Sequence, residues 1–475
     1  MGVLQRSYEG AKTGRRTDGW ITAGSDANAE IMTASTRLRD RARDLVRNNA
    51  YAAKAVSALA SNLVGSGIIP RARADDDALA KQTDALWERF THTCDADGLT
   101  DFHGLQSLVT STMVESGECL VRIKHQPVQN QEKIGTNSVP LTLQVLEPDH
   151  LDSSRDRDLP TGSFIQQGIE FDASGQRVAY WLFPRHPGAA GSLSSAVAQS
   201  VRVPAEQVLH IFDRLRPGQI RGVTWFAPAI LKLRDLDEYD EAELVRKKIE
   251  ACFVAFVLNA DDAETLGDAR DASGRRIESF EPGMVEYLPA GKDVRFGQPS
   301  STAGYSEYMR VQLHAVAAAV GLTYELLTGD LSQVNYSSIR AGLLEFRRRI
   351  DALQRQILIP MLCRPVWQRF VATAQASGLL GNGEISAEWT PPRFEAVDPM
   401  KDVQAEMLAV RAGFMPLKEA IARQGYYPNR VLQEISDTFA ELDSFGITLD
   451  TDARRSTRNG QAKPMMEKSS AQADD

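Results

Sequence analysis

Ile339, Leu343, Phe346, Ile350, Leu353 and Ile357 recur at alternating steps of four and three, the seam of a long amphipathic helix that packs against a neighbouring helix. Two more stripes of this kind precede it. Leu233, Leu236, Tyr239, Ala242, Val245, Ile249, Phe253 and Phe256 predict a rod of about 40 Å at about 1.5 Å per residue. Tyr305, Tyr308, Met309, Leu313, Val316 and Val320 predict another over residues 305–320. A chain with three rods must bury three apolar faces, and the polar stretch between the second and third rods, Gly321 to Tyr336, is left as an exposed loop. Pro360 falls inside the third rod, which is expected to run from Ser337 to about Ala372 and to kink there.

The remaining pattern is mixed. A first helix is predicted from Ser35 or Thr36 through Leu38, Ala42, Leu45, Ala52, Val56, Leu59 and Leu63 to the stop at Gly65-Ser66-Gly67. Its opposite face carries Arg37, Arg39, Arg41, Arg43 and Arg47 interleaved with Asp40 and Asp44, which reads as a solvated or subunit-contacting face rather than a phosphate cradle. Helices follow at 76–90 and 102–116. Short strands are then expected at 118–125, 141–146, 168–171, 178–183, 201–204 and 208–212. The Gly-, Ala- and Ser-rich insert 187–200 reads as a surface loop. After the first rod, short strands are expected at 284–288 and 294–296. Helices at 398–412, from Pro416, and from Pro428 to about Phe445 close the ordered part, and a polar tail from Thr451 is expected to stay unstructured.

The 475 residues imply about three parts at roughly 150 residues per domain. With 54 basic and 63 acidic side chains the formal net charge is −9, and such a chain is poorly suited to gripping a polyanion, which needs clustered Lys and Arg. The cysteines Cys94, Cys119, Cys252 and Cys363 show no C-x-x-C pair and read as reduced, buried thiols. Met1 to Gly24 has no apolar core resembling a signal peptide, and no run approaches the ~18 apolar residues of a membrane span. The protein is expected to stay soluble where it is made.

No constellation of a catalyst stands out. Phosphate-loop, nucleophile-elbow and H-E-x-x-H patterns are missing from the sequence, and the seven histidines are scattered. Glu147, Asp149 and Asp152 form a carboxylate cluster around Pro148 that reads as a solvated turn, with a divalent-metal site as the sharper alternative. Arg347-Arg348-Arg349 cannot all point at one ligand from one helix. These arginines, with Phe346 and Ile350, are expected to meet an adjacent subunit.

Several motifs in order carry a resemblance. They are Arg41 to Asn49 (RARDLVRNN) with Asn62-Leu63-Val64-Gly65-Ser66-Gly67; Val208-Leu209-His210 with Arg216 to Val223 (RPGQIRGV); and Gly321-Leu322, Tyr324-Glu325-Leu326-Leu327 and Asn335-Tyr336-Ser337-Ser338. Over roughly residues 35–445 the chain resembles bacteriophage portal proteins of the lambda family, the head-tail connectors through which a genome enters and leaves a capsid.

The resemblance implies an α+β, portal-like fold and no enzymatic activity or cofactor. It divides the chain into a flexible segment 1–34, a mixed α/β wing 35–228, stem helices 229–256 and 300–320 around a small β-containing clip 257–299, and a tunnel loop 321–336. A long helix and wing return at 337–397, a helical crown at 398–446 and a disordered tail 447–475 complete it. Ser332, Gln333 and Asn335 would face DNA, and Glu286, Lys292 and Asp293 would dock a motor at the clip. The implied assembly is a dodecameric ring at one capsid vertex of the virion, assembled in the host cytoplasm. Its implied partners are the terminase large subunit, a head-tail adaptor, a major capsid or scaffold protein, and double-stranded DNA passing without sequence specificity, with no membrane involved. Two alternatives are a metal-dependent nucleic-acid-processing enzyme using Glu147, Asp149 and Asp152, and another adaptor or capsid component.

Overall fold

The computed structural model describes residues 8, 11–125, 139–189, 199–251, 255–258, 293–296, 304–392, 394, 399–424, 426–449, 452 and 454. Helix α1 (Ala27–Asn48) begins earlier than predicted, because Asp26 caps it: its Oδ1 accepts the Ala29 amide proton at 2.9 Å. Ser35 and Thr36 lie inside the helix. At Asn49 the backbone becomes extended (φ −111°, ψ 123°) and restarts as α2 (Ala50–Val64), with the Asn49 side chain accepting from the Ala52 amide at 3.0 Å. The predicted single helix is therefore two. The apolar stripe runs through the break, which is why periodicity conceals it.

Strand β1 (Ile69–Arg73) follows, then α3 (Asp77–Thr91) and α4 (Phe102–Ser116), capped by Asp76 and Asp101. Strands β2 (Glu118–His125), β3 (Leu141–Leu146), β4 (Arg157–Asp158), β5 (Phe164–Gln166), β6 (Ile169–Phe171), β7 (Arg177–Leu182), β8 (Val201–Pro204) and β9 (Val208–Phe212) build two antiparallel sheets. One has the order β3-β2-β9, with β2 central, and the other is the meander β4-β5-β6-β7-β8. Leu120, Leu151, Ile169, Tyr180, Leu182 and Val203 form a small core under the meander.

Helix α5 (Ile230–Ala251) is the first rod. Strands β10 (Ala255–Leu258) and β11 (Asp293–Phe296) pair antiparallel beyond it, Ala255 opposite Phe296. Phe256, read as the end of the helical stripe, belongs to β10. Phe253 and the predicted strand 284–288 lie outside the described residues.

Helix α6 (Tyr305–Val320) runs back along α5. Tyr239 stacks with Tyr305 at 5.8 Å and meets Tyr308 at 4.8 Å, while Lys232 Nζ donates to Gln312 Oε1 at 3.0 Å. Earlier residues of α5 pair with later residues of α6, so the two rods are antiparallel.

A short helix, α7 (Tyr324–Thr328), interrupts the expected loop before α8 (Tyr336–Leu353). From Gln354 to Cys363 the rod widens into a π-helical segment, and α9 (Arg364–Ala376) continues it. Pro360 sits in that segment. A proline lacks the N–H of an i→i−4 bond and clashes with that carbonyl, whereas here the Arg364 amide reaches Ile359 O, five residues back.

Strand β12 (Ser386–Thr390) pairs antiparallel with β1, Ile69 opposite Thr390, and closes the chain on itself. β1 escapes sequence reading because it contains Pro70, which a two-stranded ribbon tolerates. The main core lies between these elements. Trp87 of α3 contacts Phe90, Phe102, Trp367 and Phe370 at centroid distances of 5.0 to 5.4 Å, edge-on or tilted as ring quadrupoles favour. Cys94, Cys119 and Cys363 are free and buried in it, and burial pushes the Cys94 thiol up to about 12. Helices α10 (Pro399–Arg411), α11 (Leu417–Arg423) and α12 (Pro428–Ser444) form a largely exposed terminal unit. Among the described residues, no helix is long and apolar enough to cross a membrane.

Candidate functional site

The segment between α6 and α8 is ordered by caps. Gly321, at φ +75°, ends α6 and donates its amide to Ala318 O at 3.2 Å. Thr323 caps α7, and Gly329, again at φ +75°, ends it. Asp330 then makes the turn: its Oδ1 accepts from the Ser332 amide at 2.9 Å and its Oδ2 from Tyr324 Oη at 3.2 Å. The Tyr324 ring stacks on His314 of α6 at 4.3 Å. Leu331, Ser332 and Gln333 are exposed at the tip. Asn335 is exposed too, but its carboxamide oxygen caps α8 by accepting from the Ser338 amide at 2.9 Å. From 321 to 336 the charged residues are Glu325 and Asp330, with no lysine or arginine.

Helix α8 distributes its expected contact residues over different faces. Phe346 and Ile350, 5% and 0% exposed, pack into the chain's own core. They are corrected from subunit contacts to internal ones, since nothing of Ile350 is left for a neighbour to touch. Arg347 lies over the Phe394 ring at 5.1 Å, and Arg349 over Trp225 at 5.5 Å. Arg348 is exposed. Of the expected clip residues, Glu286 and Lys292 lie outside the described residues, and Asp293 starts β11 opposite Leu258.

The RPGQIRGV motif has a physical role that sequence reading did not supply. Glu118, the first residue of β2, is buried and accepts from Arg221 Nε at 2.9 and 3.0 Å, from the Gly222 amide at 2.8 Å and from His210 Nε2 at 2.9 Å. Burial alone would raise the Glu118 carboxyl, but Arg221 and His210 overrule it and hold it well below the ordinary carboxylate range. Burial pushes the His210 imidazole down to about 4 against the pull of Glu118. At neutral pH the ring is therefore uncharged, with Nε2–H donating to Glu118 and Nδ1 facing Arg177 Nη1 at 3.5 Å.

The backbone around this network is equally tight. Asn28 of α1 donates to Gly218 O at 3.0 Å and accepts from the Ile220 amide at 3.0 Å. A Cβ on Gly222 would stand 2.1 Å from Gly117 O. The motif thus clamps α1, β2 and β9 together ahead of the first rod. One signal was available: a carboxylate opening a strand as apolar as Cys-Leu-Val-Arg-Ile must, if buried, be paired.

The carboxylate cluster comes apart. Asp152 accepts from Ser154 at 2.6 Å, Ser200 at 2.6 Å and Arg155 Nε at 3.1 Å. Glu147 and Asp149 instead face His186, at 3.0 and 3.7 Å. These three could share an ion by distance, but Arg39 (3.1 Å) and Arg43 (2.7 Å) already neutralise Asp149, and Arg43 also reaches Glu147 at 3.5 Å. Two guanidiniums beside the donors oppose a divalent cation, so the trio does not fit a catalytic metal. The arginine-rich face of α1 is in this part structural, tying the helix to the loop after β3, while Arg37, Arg41 and Arg47 stay exposed.

Comparison with known proteins bears on the whole chain. It is 28% identical over 471 residues to the probable portal protein of Halomonas phage phiHAP-1, covering 94% of this chain and 88% of the relative. It is 21% identical to portal protein B of Escherichia phage lambda, covering 90% and 88%. A solved virion of a native gene transfer agent particle contains a chain that aligns with a TM-score of 0.43 and 16% identity, over 85% of this chain and 96% of that one. The family model for phage portal proteins, lambda family, matches residues 13–354, which take in the RPGQIRGV clamp and the two antiparallel rods. The chain therefore belongs to the lambda family of phage portal proteins.

Proposed function

We propose that copies of this chain form a dodecameric ring at one vertex of the virion, serving as the conduit for DNA packaging and ejection and as the dock for the terminase large subunit and a head-tail adaptor. The family is structural rather than enzymatic. The observation that carries the ring is apolar surface that the chain does not cover. Leu231 and Val245 on α5, Tyr308 and Val311 on α6, and Leu344 on α8 are all exposed, Leu231 and Val311 at 69% and 63%. Faces of this size on rods whose inner sides are already filled call for a partner, and a head-to-tail interface that closes gives a ring.

The segment 321–336 supports the conduit. A wall past which DNA slides must surround the duplex without gripping it, and each Lys or Arg on a phosphate adds retention. Ser332 and Gln333 are exposed on a loop without cations. Asn335, whose side chain is spent on capping α8, orders the loop and contributes less to its surface. The strand pair β10–β11 at the far end of the rods marks the clip, where Asp293 lies and where motor and adaptor dock. The terminal unit α10 to α12 is the crown, facing the capsid interior and its shell or scaffold protein, and assembly takes place in the host cytoplasm.

Negative-stain microscopy of the purified full chain tests this reading. The expected result is twelve-subunit rings with a central hole that admits duplex DNA. A particle that stays a single subunit at every concentration, or a ring closed at its centre, would overturn it.

A further inference from the structure

Two exposed helix faces complement each other and cannot meet within one chain. On α5 the residues Leu231, Asp235, Glu238, Glu241, Ala242 and Val245 are exposed and follow steps of three and four, so they form one continuous outer strip. Arg234 and Glu238 satisfy each other at 2.8 Å. Asp235 and Glu241 have no partner among the described residues. On α8 the outer strip is Arg340, Ala341, Leu344, Arg348, Asp351 and Arg355. Here Asp351 and Arg355 satisfy each other at 2.9 Å, Arg340 and Arg348 have no partner among the described residues, and the exposed Glu345 lies to one side of the strip.

Each strip therefore carries small or branched apolar residues, one internal ion pair and two unmatched charges, negative on α5 and positive on α8. Asp235 and Glu241 lie six positions apart and Arg340 and Arg348 eight, about 9 and about 12 Å along the respective helices. Inner faces of both helices are already occupied: Leu233 and Leu236 of α5, and Phe346 and Ile350 of α8, lie in the main core.

A closed ring needs two different faces of the same chain to recognise each other, and complementary charge fixes their register. Other exposed strips fit less well. On α6 the exposed charges include one of each sign, Glu307 and Arg310, and the exposed arginines of α1 alternate with Asp40 and Asp44.

We propose that in the ring the outer face of α5 of one subunit packs on the outer face of α8 of the next, with Asp235 and Glu241 meeting Arg340 and Arg348. The inference rests on the ring reading above and adds to it the partner surface. It also assigns Arg348 a role apart from its neighbours, since Arg347 and Arg349 are turned toward Phe394 and Trp225 of their own chain.

The test is native mass spectrometry of the full chain over a series of protein and salt concentrations, with four variants. These are Arg340→Glu with Arg348→Glu, Asp235→Arg with Glu241→Arg, all four changes together, and Arg348→Gln as a charge-removing change that introduces no repulsion. Each two-residue reversal is expected to raise the concentration for half-assembly by about tenfold or more, the four-residue swap to bring it back within about threefold of the native chain, and Arg348→Gln to weaken assembly more at low salt than at high. All these side chains are exposed, so circular dichroism melts of the separated subunits should match the native chain. Reversals that leave assembly unchanged, or a swap no better than either reversal, overturn the pairing while native rings leave the ring reading standing. A native chain that never assembles overturns both.

Discussion

The guanidinium of Arg349 occupies the space that a side chain at position 321 would fill: a Cβ built on Gly321 would stand 0.8 Å from Arg349 Nη1. Gly321 ends α6, and Arg349 comes from the C-terminal part of α8, so the packing joins the end of one rod to the flank of another. A cation beside the last carbonyls of a helix is electrostatically favourable. The same guanidinium lies 5.5 Å from the Trp225 ring, and it offsets part of the rise that burial imposes on the Asp213 carboxyl. One side chain thus links α6, α8 and the segment that follows β9.

Gly321→Ala should therefore destabilise in two ways. The left-handed conformation at φ +75° costs an alanine about 1–2 kcal/mol, and the new methyl displaces Arg349 as well. In a double-mutant cycle with Arg349→Ala, urea denaturation should give a combined loss smaller than the sum of the single losses, because the methyl has nothing to displace once the guanidinium is gone. Strict additivity would show that the two residues do not share this space.

Removing the carboxylate at the clamp should cost far more than removing one at the surface. Glu118→Ala leaves the Arg221 guanidinium, 3% exposed, without its counter-charge, and breaking a buried pair costs about 3–5 kcal/mol. Glu388→Ala removes the partner of Arg73 from a pair in which both side chains are about half exposed, and the loss should stay below about 1 kcal/mol. Denaturant melts of the two variants compare the effects directly.

Acid should unfold the protein through the same clamp. Below pH 6.5 the unfolded chain binds a proton at His210 that the folded chain refuses until about pH 4, so stability falls as pH falls through that interval. Glu118 acts in the same direction at lower pH, because its folded pKa is depressed: its contribution is complete above the ordinary carboxylate range and is lost as pH drops below it. The melting temperature should be level above pH 7 and decline below about 6.5. His210→Asn should start lower and flatten the slope between pH 6.5 and 4.

The three rods were legible because a period of three to four residues persists over many turns, and residues 305–320 and 102–116 coincide with α6 and α4. What a stripe does not encode is which body it faces. Phe346 and Ile350 belong to the same seam whether it closes on the chain's own core or on a neighbour, and only the packed structure shows the first. The break at Asn49 was invisible for a related reason: besides its local cap on Ala52, Asn49 makes a long-range bond, Nδ2 to Asp237 on α5 at 2.7 Å, that no local pattern reveals. Pairing of β1 with β12 joins distant segments, Arg73 and Glu388 standing 315 residues apart in sequence, and no local pattern specifies it. At the clamp, His210 and Arg221 stood within recognisable motifs, yet their chemistry depends on Glu118, which sequence alone marked only as the start of a strand.

Adding a cation to the loop should turn a sliding wall into a gripping one. Gln333 is exposed at the tip, in a segment whose charges are both acidic, so Gln333→Arg leaves the caps at Thr323, Asp330 and Asn335 untouched and places one guanidinium per subunit at the loop tip. If the loop lies against DNA, assembled rings of the variant should retain duplex more tightly than native rings. The excess should vanish as salt rises, with the slope of log K against log salt steepening by about 0.9 for each phosphate newly contacted. Gln333→Glu should show no gain in retention at any salt. Fluorescence anisotropy of labelled duplex with purified rings measures both, and equal retention by the Arg and Glu variants would mean that this loop does not reach the DNA.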